Sequence, residues 1–117
     1  MKFSIWNQHW GHKEIINLSS EQAYNGLLEH YRQSSKSFTL DSEDFPRGFS
    51  FNRGNILLSV LCIGSELWCK HVVDIDIQEI EKSKTQIDWK INLKLCGLQA
   101  GKNAIIEECK KVVKKIA

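Results

Sequence analysis

Two stretches in the second half of the chain alternate regularly between apolar and polar residues. The first runs from Leu67 to Ile77, with apolar side chains or His71 at the odd positions, and the second runs from Thr85 to Leu95. A period of two residues places alternate side chains on opposite faces of a β-strand. Both stretches therefore predict half-buried strands, and the polar segment from Glu81 to Lys84 predicts the turn of an antiparallel hairpin between them.

Two other segments have the spacing of amphipathic helices. Ser19 and Gln22 form a capping-box pattern, in which each side chain satisfies a backbone N–H group, so a helix is expected to begin near Ser20. Its apolar stripe, at the helical spacing of three and four residues, consists of Tyr24, Leu27, Leu28 and Tyr31. A second stripe, which predicts a closing helix, consists of Ile105, Ile106, Cys109, Val112, Val113 and Ile116.

Shorter segments complete the predicted fold. Further strands are expected at Lys2 to Trp10, Lys13 to Leu18, Phe38 to Leu40, Phe49 to Asn52 and Ile56 to Ile63. The acidic segment from Asp41 to Gly48 contains Pro46 and predicts a loop. This order predicts one α+β domain over residues 1–117. We expect two layers, an antiparallel sheet of about five to six strands with an N-terminal and a C-terminal helix packed on one face.

The order of elements resembles a known class of small domains. The entry from Ile15 to Tyr24, the strand meander that follows and the closing helix look like small TATA-binding-protein-like or helix-grip α+β domains. The resemblance covers most of the chain and implies the same two-layer arrangement. Domains of this layout include lipid carriers and proteins that bend DNA, so the resemblance does not select one function.

Composition narrows the possible functions. A chain of 117 residues with 42% hydrophobic residues can bury one core without disulfides or metals. Its formal net charge of +2 is small for a protein that tracks a phosphate backbone, which makes nucleic acid an unlikely partner. Its apolar runs are far shorter than the roughly 20 residues of a membrane-spanning helix. The N-terminal segment also lacks the apolar core of a secretory signal, so we expect a cytoplasmic protein and no membrane partner.

Candidate chemical groups are few. In a cytoplasmic protein the four cysteines, Cys62, Cys69, Cys96 and Cys109, are expected to be free thiols. Cys62 and Cys69, if they lie opposite each other on neighbouring strands, could form a disulfide or contribute to a metal site. Their spacing differs from that of zinc sites, and no second cysteine pair is present. We therefore expect no metal and no cofactor.

His71 is the most plausible single reactive group. It could act as a general base or contact a ligand, because the pKa of histidine lies near neutrality. The favoured interpretation is a buried imidazole hydrogen-bonded to backbone or water, since no carboxylate is expected on its face.

Two other groups are interpreted in ordinary structural terms. Gly97 to Asn103 departs from the phosphate-loop pattern and predicts a plain turn before a helix, and the acids Asp41, Glu43 and Asp44 are expected to be solvated loop charges.

Two functional hypotheses remain, and neither is enzymatic, because no nucleophile, base and oxyanion donor can be assembled. In the first, a cluster on the sheet face opposite the helices binds a protein partner or a second copy. That apolar cluster consists of Leu57, Leu61, Ile63, Trp68 and Val72, with Trp6 and Trp10 added from the first strand. Alternatively, the N-terminal segment or the acidic loop folds over that face.

The second hypothesis is a carrier of a small apolar ligand. The ligand would lie between the curved sheet and the C-terminal helix. The residues expected to line this site are His71, Trp89, Ile91 and Leu93.

Overall fold

The computed structural model of the chain describes residues 7–34, 36–54, 70–94 and 99–117. Within these ranges the chain forms five strands and two helices. In chain order these elements are β1 (Asn7–Ile16), α1 (Ser20–Ser34), β2 (Thr39–Asp44), β3 (Gly48–Arg53), β4 (His71–Glu81), β5 (Lys84–Lys94) and α2 (Gln99–Ile116). The strand predicted from Ile56 to Ile63 lies outside the described residues, as do Cys62, Cys69 and Cys96.

The described strands form one antiparallel sheet in the order β1-β5-β4-β3-β2. Both helices lie against the same face, so the predicted two-layer α+β fold is confirmed. The core between the layers consists of Ile16, Ala23, Tyr24, Leu27, Tyr31, Phe49, Phe51, Val73, Ile75, Ile77, Ile87, Trp89, Ile91, Ile105, Cys109 and Val112. The opposite face of the sheet is not covered by either helix.

The predicted hairpin of alternating residues is confirmed. Strands β4 and β5 pair from His71 opposite Leu93 to Glu81 opposite Lys84. The turn itself is therefore shorter than predicted and consists of Lys82 and Ser83. Ser83 has a φ of 57°, in the left-handed region that tight hairpin turns use. The odd positions of both strands face the helices, as the period of two requires.

Strand β1 corrects the prediction of two short strands at the N-terminus. It is continuous over ten residues and pairs with β5 along its whole length, from Asn7 opposite Lys94 to Ile16 opposite Thr85. Gly11 lies between the two predicted strands, but it keeps the pairing register of β1, opposite Lys90. The long partner strand supplies a backbone partner for each position, so no turn is needed there.

The acid-rich segment also differs from prediction, because its first part is a strand rather than a loop. Strand β2 pairs with β3, with an irregularity between Leu40 and Ser42. The turn that follows contains a cis Phe45–Pro46 peptide bond, and the Arg47 N–H donates to the carbonyl oxygen of Asp44 at 2.6 Å. This is the geometry of a turn with cis-proline at its third position.

The first helix begins as the capping-box pattern predicts. The Gln22 N–H donates to Ser19 Oγ at 3.2 Å, and the Ser19 N–H donates to Gln22 Oε1 at 3.2 Å. The two helices pack closely, because a Cβ at Gly26 would lie 2.9 Å from Cγ2 of Ile116. Helix α1 therefore presents a small residue where the end of α2 crosses it.

Candidate functional site

A buried polar cluster occupies the helix-covered face beside His71. The guanidinium group of Arg53, which is 1% exposed, donates to both carboxylate oxygens of Glu108 in a bidentate ion pair. Arg53 Nε donates to Nε2 of His71 at 2.7 Å, and Arg53 Nη1 donates to Ser34 Oγ at 2.6 Å. The aromatic ring of Tyr31 lies 5.2 Å from the guanidinium carbon. One arginine thus joins β3, β4 and both helices.

The electrostatics of Glu108 follow from this enclosure. Burial by itself would raise the pKa of its carboxyl group. The hydrogen bonds from His30 and Arg53, together with the positive charge of Arg53, outweigh burial and lower the pKa of Glu108 to about 2. Glu108 is therefore a firmly ionised structural partner and a poor proton donor or acceptor at neutral pH.

Acid is expected to destabilise the protein through this carboxylate. Because the pKa of Glu108 is lower in the folded state than in the unfolded state, its contribution is complete above about pH 5 and is lost as the pH falls toward 2. The shift corresponds to about 3 kcal/mol. Urea unfolding from neutral to acidic pH measures this loss as a fall in the free energy of unfolding, and the same series for Glu108→Gln is the comparison. An equal pH dependence of the two proteins would contradict the role of Glu108 in acid destabilisation.

His71 is buried as favoured from the sequence, but a side chain is among its partners. The imidazole is 0% exposed and accepts the hydrogen bond from Arg53, whereas backbone or water was expected. The sequence does not point to Arg53, because the predicted strand ends at Asn52, or to Glu108, because it is a single acid within the apolar stripe of α2. Both residues nevertheless lie at positions that the local periodicity assigns to the core side, and this periodicity is the signal that could identify them.

Two of the other predicted ligand-lining residues, Trp89 and Ile91, belong to the core. Trp89 is 0% exposed and Ile91 is 2% exposed, and Trp89 Nε1 donates to the hydroxyl oxygen of Tyr31 at 2.9 Å. The side chain of Leu93 lies outside the described part of the structure. Cys109 is a free thiol, and burial raises its pKa to about 12, so it is not a nucleophile at neutral pH.

The sheet face opposite the helices, which we call the open face, is mainly polar in the described residues. Of the predicted apolar cluster, Val72 lies on this face and is half-buried. Five other members lie outside the described residues: Leu57, Leu61, Ile63, Trp68 and Trp6. Trp10 corrects the prediction, because it lies opposite Ile91 and packs against the core under the helices. The register of β1 on β5 places its even positions on the covered face.

A shallow groove crosses the open face between two glycines. It consists of two adjoining depressions of about 410 Å³ and 440 Å³ that share Asp74 and Lys90. Gly48 lies in the first depression and Gly11 in the second. Hydroxyl groups of Ser42 and Ser50 also line the first depression. We call these two depressions together the open-face groove.

Asp74 and Asp76 line this groove beside Lys90, and Asp88 lies next to the groove on β5; we call Asp74, Asp76 and Asp88 the aspartate cluster. Lys90 lies opposite Asp74 in the sheet, and its Nζ is 3.7 Å from a carboxylate oxygen of Asp76. Asp88 lies directly opposite Asp76, a like-charge pair that is unfavourable across strands. Within the described ranges, Asp74 and Asp88 form no ion pair, although Lys13 of β1 lies directly opposite Asp88, so three carboxylates face two ammonium groups. The centre of the open face therefore has a local surplus of negative charge.

Asp41, Glu43 and Asp44 are exposed to solvent as predicted, but they lie in strand β2 rather than in a loop, and each has a polar partner. Tyr24 donates its hydroxyl hydrogen to Glu43 at 2.6 Å, and Asn52 donates its side-chain amide to Asp41 at 2.8 Å. Asp44 forms an ion pair with a turn arginine at 3.1 Å. The partners from α1 and β3 fix a segment whose composition alone is typical of loops.

Comparison of the chain with known protein families and with curated proteins finds no match. The described residues contain no group of histidine, cysteine or acidic side chains that could hold a metal ion. In the same ranges, no helix is both long and apolar enough to cross a membrane.

Proposed function

We propose that this protein is a non-enzymatic interaction module that binds a positively charged protein segment on the open face of its sheet. The observation that carries the proposal is the aspartate cluster at the open-face groove, where Asp76 pairs with Lys90 and lies opposite Asp88, while Asp74 forms no ion pair among the described residues. A cationic side chain placed there would relieve the repulsion between Asp76 and Asp88. Complementary charge is a common source of specificity and fast association at protein interfaces.

The shape of the groove supports a protein segment as the occupant. Gly11 has no side chain at one end of the groove, so side chains of a crossing segment can approach the sheet there. The groove is shallow and open, which suits a chain segment better than an enclosed small molecule. We place the protein in the cytoplasm, where the free thiol of Cys109 is expected to persist.

The carrier hypothesis has less support. Among the described residues, Trp89 and Ile91 are packed in the core, and His71 is engaged by Arg53. A ligand in this region would have to displace those contacts.

Binding of a labelled oligolysine peptide tests the proposal. Neutralising the aspartate cluster with Asp74→Asn, Asp76→Asn and Asp88→Asn, a triple substitution that we call the acid-neutralised variant, is expected to weaken binding about tenfold. This estimate takes a few tenths to one kcal/mol for each exposed charge contact. Fluorescence anisotropy at low ionic strength measures the affinity. Added salt should weaken binding further, because the contacts are exposed.

The matched control changes the net charge equally but on the helix layer. It combines Glu21→Gln, Glu29→Gln and Glu107→Gln, which are all exposed positions. This helix-layer control is expected to bind oligolysine almost as well as the unmodified protein. Equal losses in the two variants would show that net charge alone attracts the peptide, and absence of binding would remove the proposed function altogether.

A further inference from the structure

A second cluster of like charge lies on the other layer of the molecule. The last turns of α2 expose four lysines, Lys110, Lys111, Lys114 and Lys115, which we call the lysine cluster. Within the described residues, the only ion pair of this cluster joins Lys110 to Glu107 at 3.6 Å. Lysines four residues apart on a helix repel each other. This end of α2 therefore has a surplus of positive charge, opposite in sign to the open-face groove.

The lysine and aspartate clusters have similar spacings. Lysines four positions apart are separated by about 6 Å along a helix axis. Alternate residues on one strand, such as Asp74 and Asp76, are about 6.7 Å apart. Directly opposed residues on neighbouring strands, such as Asp76 and Asp88, are about 5 Å apart. Two turns of α2 can therefore place adjacent ammonium groups over adjacent carboxylates.

One chain cannot bring these two clusters together. The residues of α2 that face the sheet, including Ile105, Cys109 and Val112, are buried in the core, so the lysine cluster points away from the sheet. The aspartate cluster lies on the far face of the same sheet. The complementary charges can thus meet only between two molecules.

From this complementarity we infer that the lysine cluster of one copy docks in the open-face groove of another copy. This inference rests on the proposed function of the groove and names its occupant. The two contacting surfaces differ, so the association is head-to-tail: each bound molecule leaves one groove and one lysine cluster available. Such contacts extend into chains unless the rotation between copies closes a ring. Because the charges are exposed, the association should be strong at low ionic strength and weak in high salt.

Mixing two variants tests the inference. The first is the acid-neutralised variant, which retains its lysine cluster. The second, the base-neutralised variant, carries Lys111→Gln, Lys114→Gln and Lys115→Gln and retains its aspartate cluster. The unmodified protein is expected to increase in mass beyond a dimer with concentration at low salt, measured by light scattering. Each variant alone is expected to stay monomeric, and an equimolar mixture is expected to stop at a one-to-one complex.

The controls separate this inference from the proposed function. The helix-layer control should associate at least as strongly as the unmodified protein. An unmodified protein that stays monomeric at low salt, while it still binds oligolysine, would overturn self-association and leave the groove as a site for a different basic partner. Association that persists in both variants, or a mixture that does not combine, would also overturn it by placing the interface elsewhere. Absence of both self-association and oligolysine binding would remove both proposals.

Discussion

Replacing Glu108 by glutamine is expected to lower the free energy of unfolding by about 3–5 kcal/mol. The substitution keeps the shape of the side chain but removes its charge, which leaves the guanidinium group of Arg53 buried without a counter-ion. Arg53 is 1% exposed and cannot reach water without opening the contact between the helices and the sheet. An uncompensated buried charge is among the few single changes that cost so much.

Urea unfolding at neutral pH measures this effect, and the adjacent residue supplies the control. Glu107 is exposed and forms a surface ion pair with Lys110, so Glu107→Gln should change stability by less than about 1 kcal/mol. A double variant with Arg53→Met and Glu108→Leu removes both charges and should be more stable than Glu108→Gln, because no isolated charge remains. Similar small losses for Glu107→Gln and Glu108→Gln would show that the buried pair does not join the layers.

Local patterns were sufficient to predict most of the fold. The period of two residues identified the hairpin of β4 and β5, and the Ser19 and Gln22 capping box identified the start of α1. In these segments the signal comes from neighbours within a few positions. The part of β2 beyond Leu40 could not be predicted in this way, since its acidic residues have distant partners such as Tyr24, and composition alone favours a loop.

The buried cluster shows a different limit. Arg53 and Glu108 are 55 positions apart, and no local spacing links them. Their positions on the core side of β3 and α2 are visible in the periodicity, but their pairing depends on how the two helices lie on the sheet. Trp10 was assigned to the wrong face for a related reason, because its orientation depends on the register of β1 against β5. The aspartate cluster likewise becomes visible only when the pairing of β4 with β5 brings Asp88 beside Asp74 and Asp76.

A methyl group added at Gly48 is expected to destabilise the protein strongly. In the Gly48→Ala variant the new Cβ would lie 2.1 Å from the backbone oxygen of Ile75 on the neighbouring strand. A backbone oxygen in a paired strand cannot rotate away as a flexible side chain can, so β3 must move away from β4. Overpacking typically costs about 1–3 kcal/mol, and we expect at least the upper part of that range here because the pairing itself must shift.

Gly11→Ala is the matched control at the other end of the groove. Its Cβ would lie 3.4 Å from the backbone oxygen of Trp89, an ordinary contact, so stability should stay within about 0.5 kcal/mol of the original. Urea unfolding measures both variants, and hydrogen exchange locates the change. In Gly48→Ala the Ile77 N–H, which donates to the carbonyl oxygen of Arg47 at 2.7 Å, should lose protection first. Equal stability of the two variants would show that β3 does not approach β4 as closely as described, and the floor of the groove would then need a different explanation.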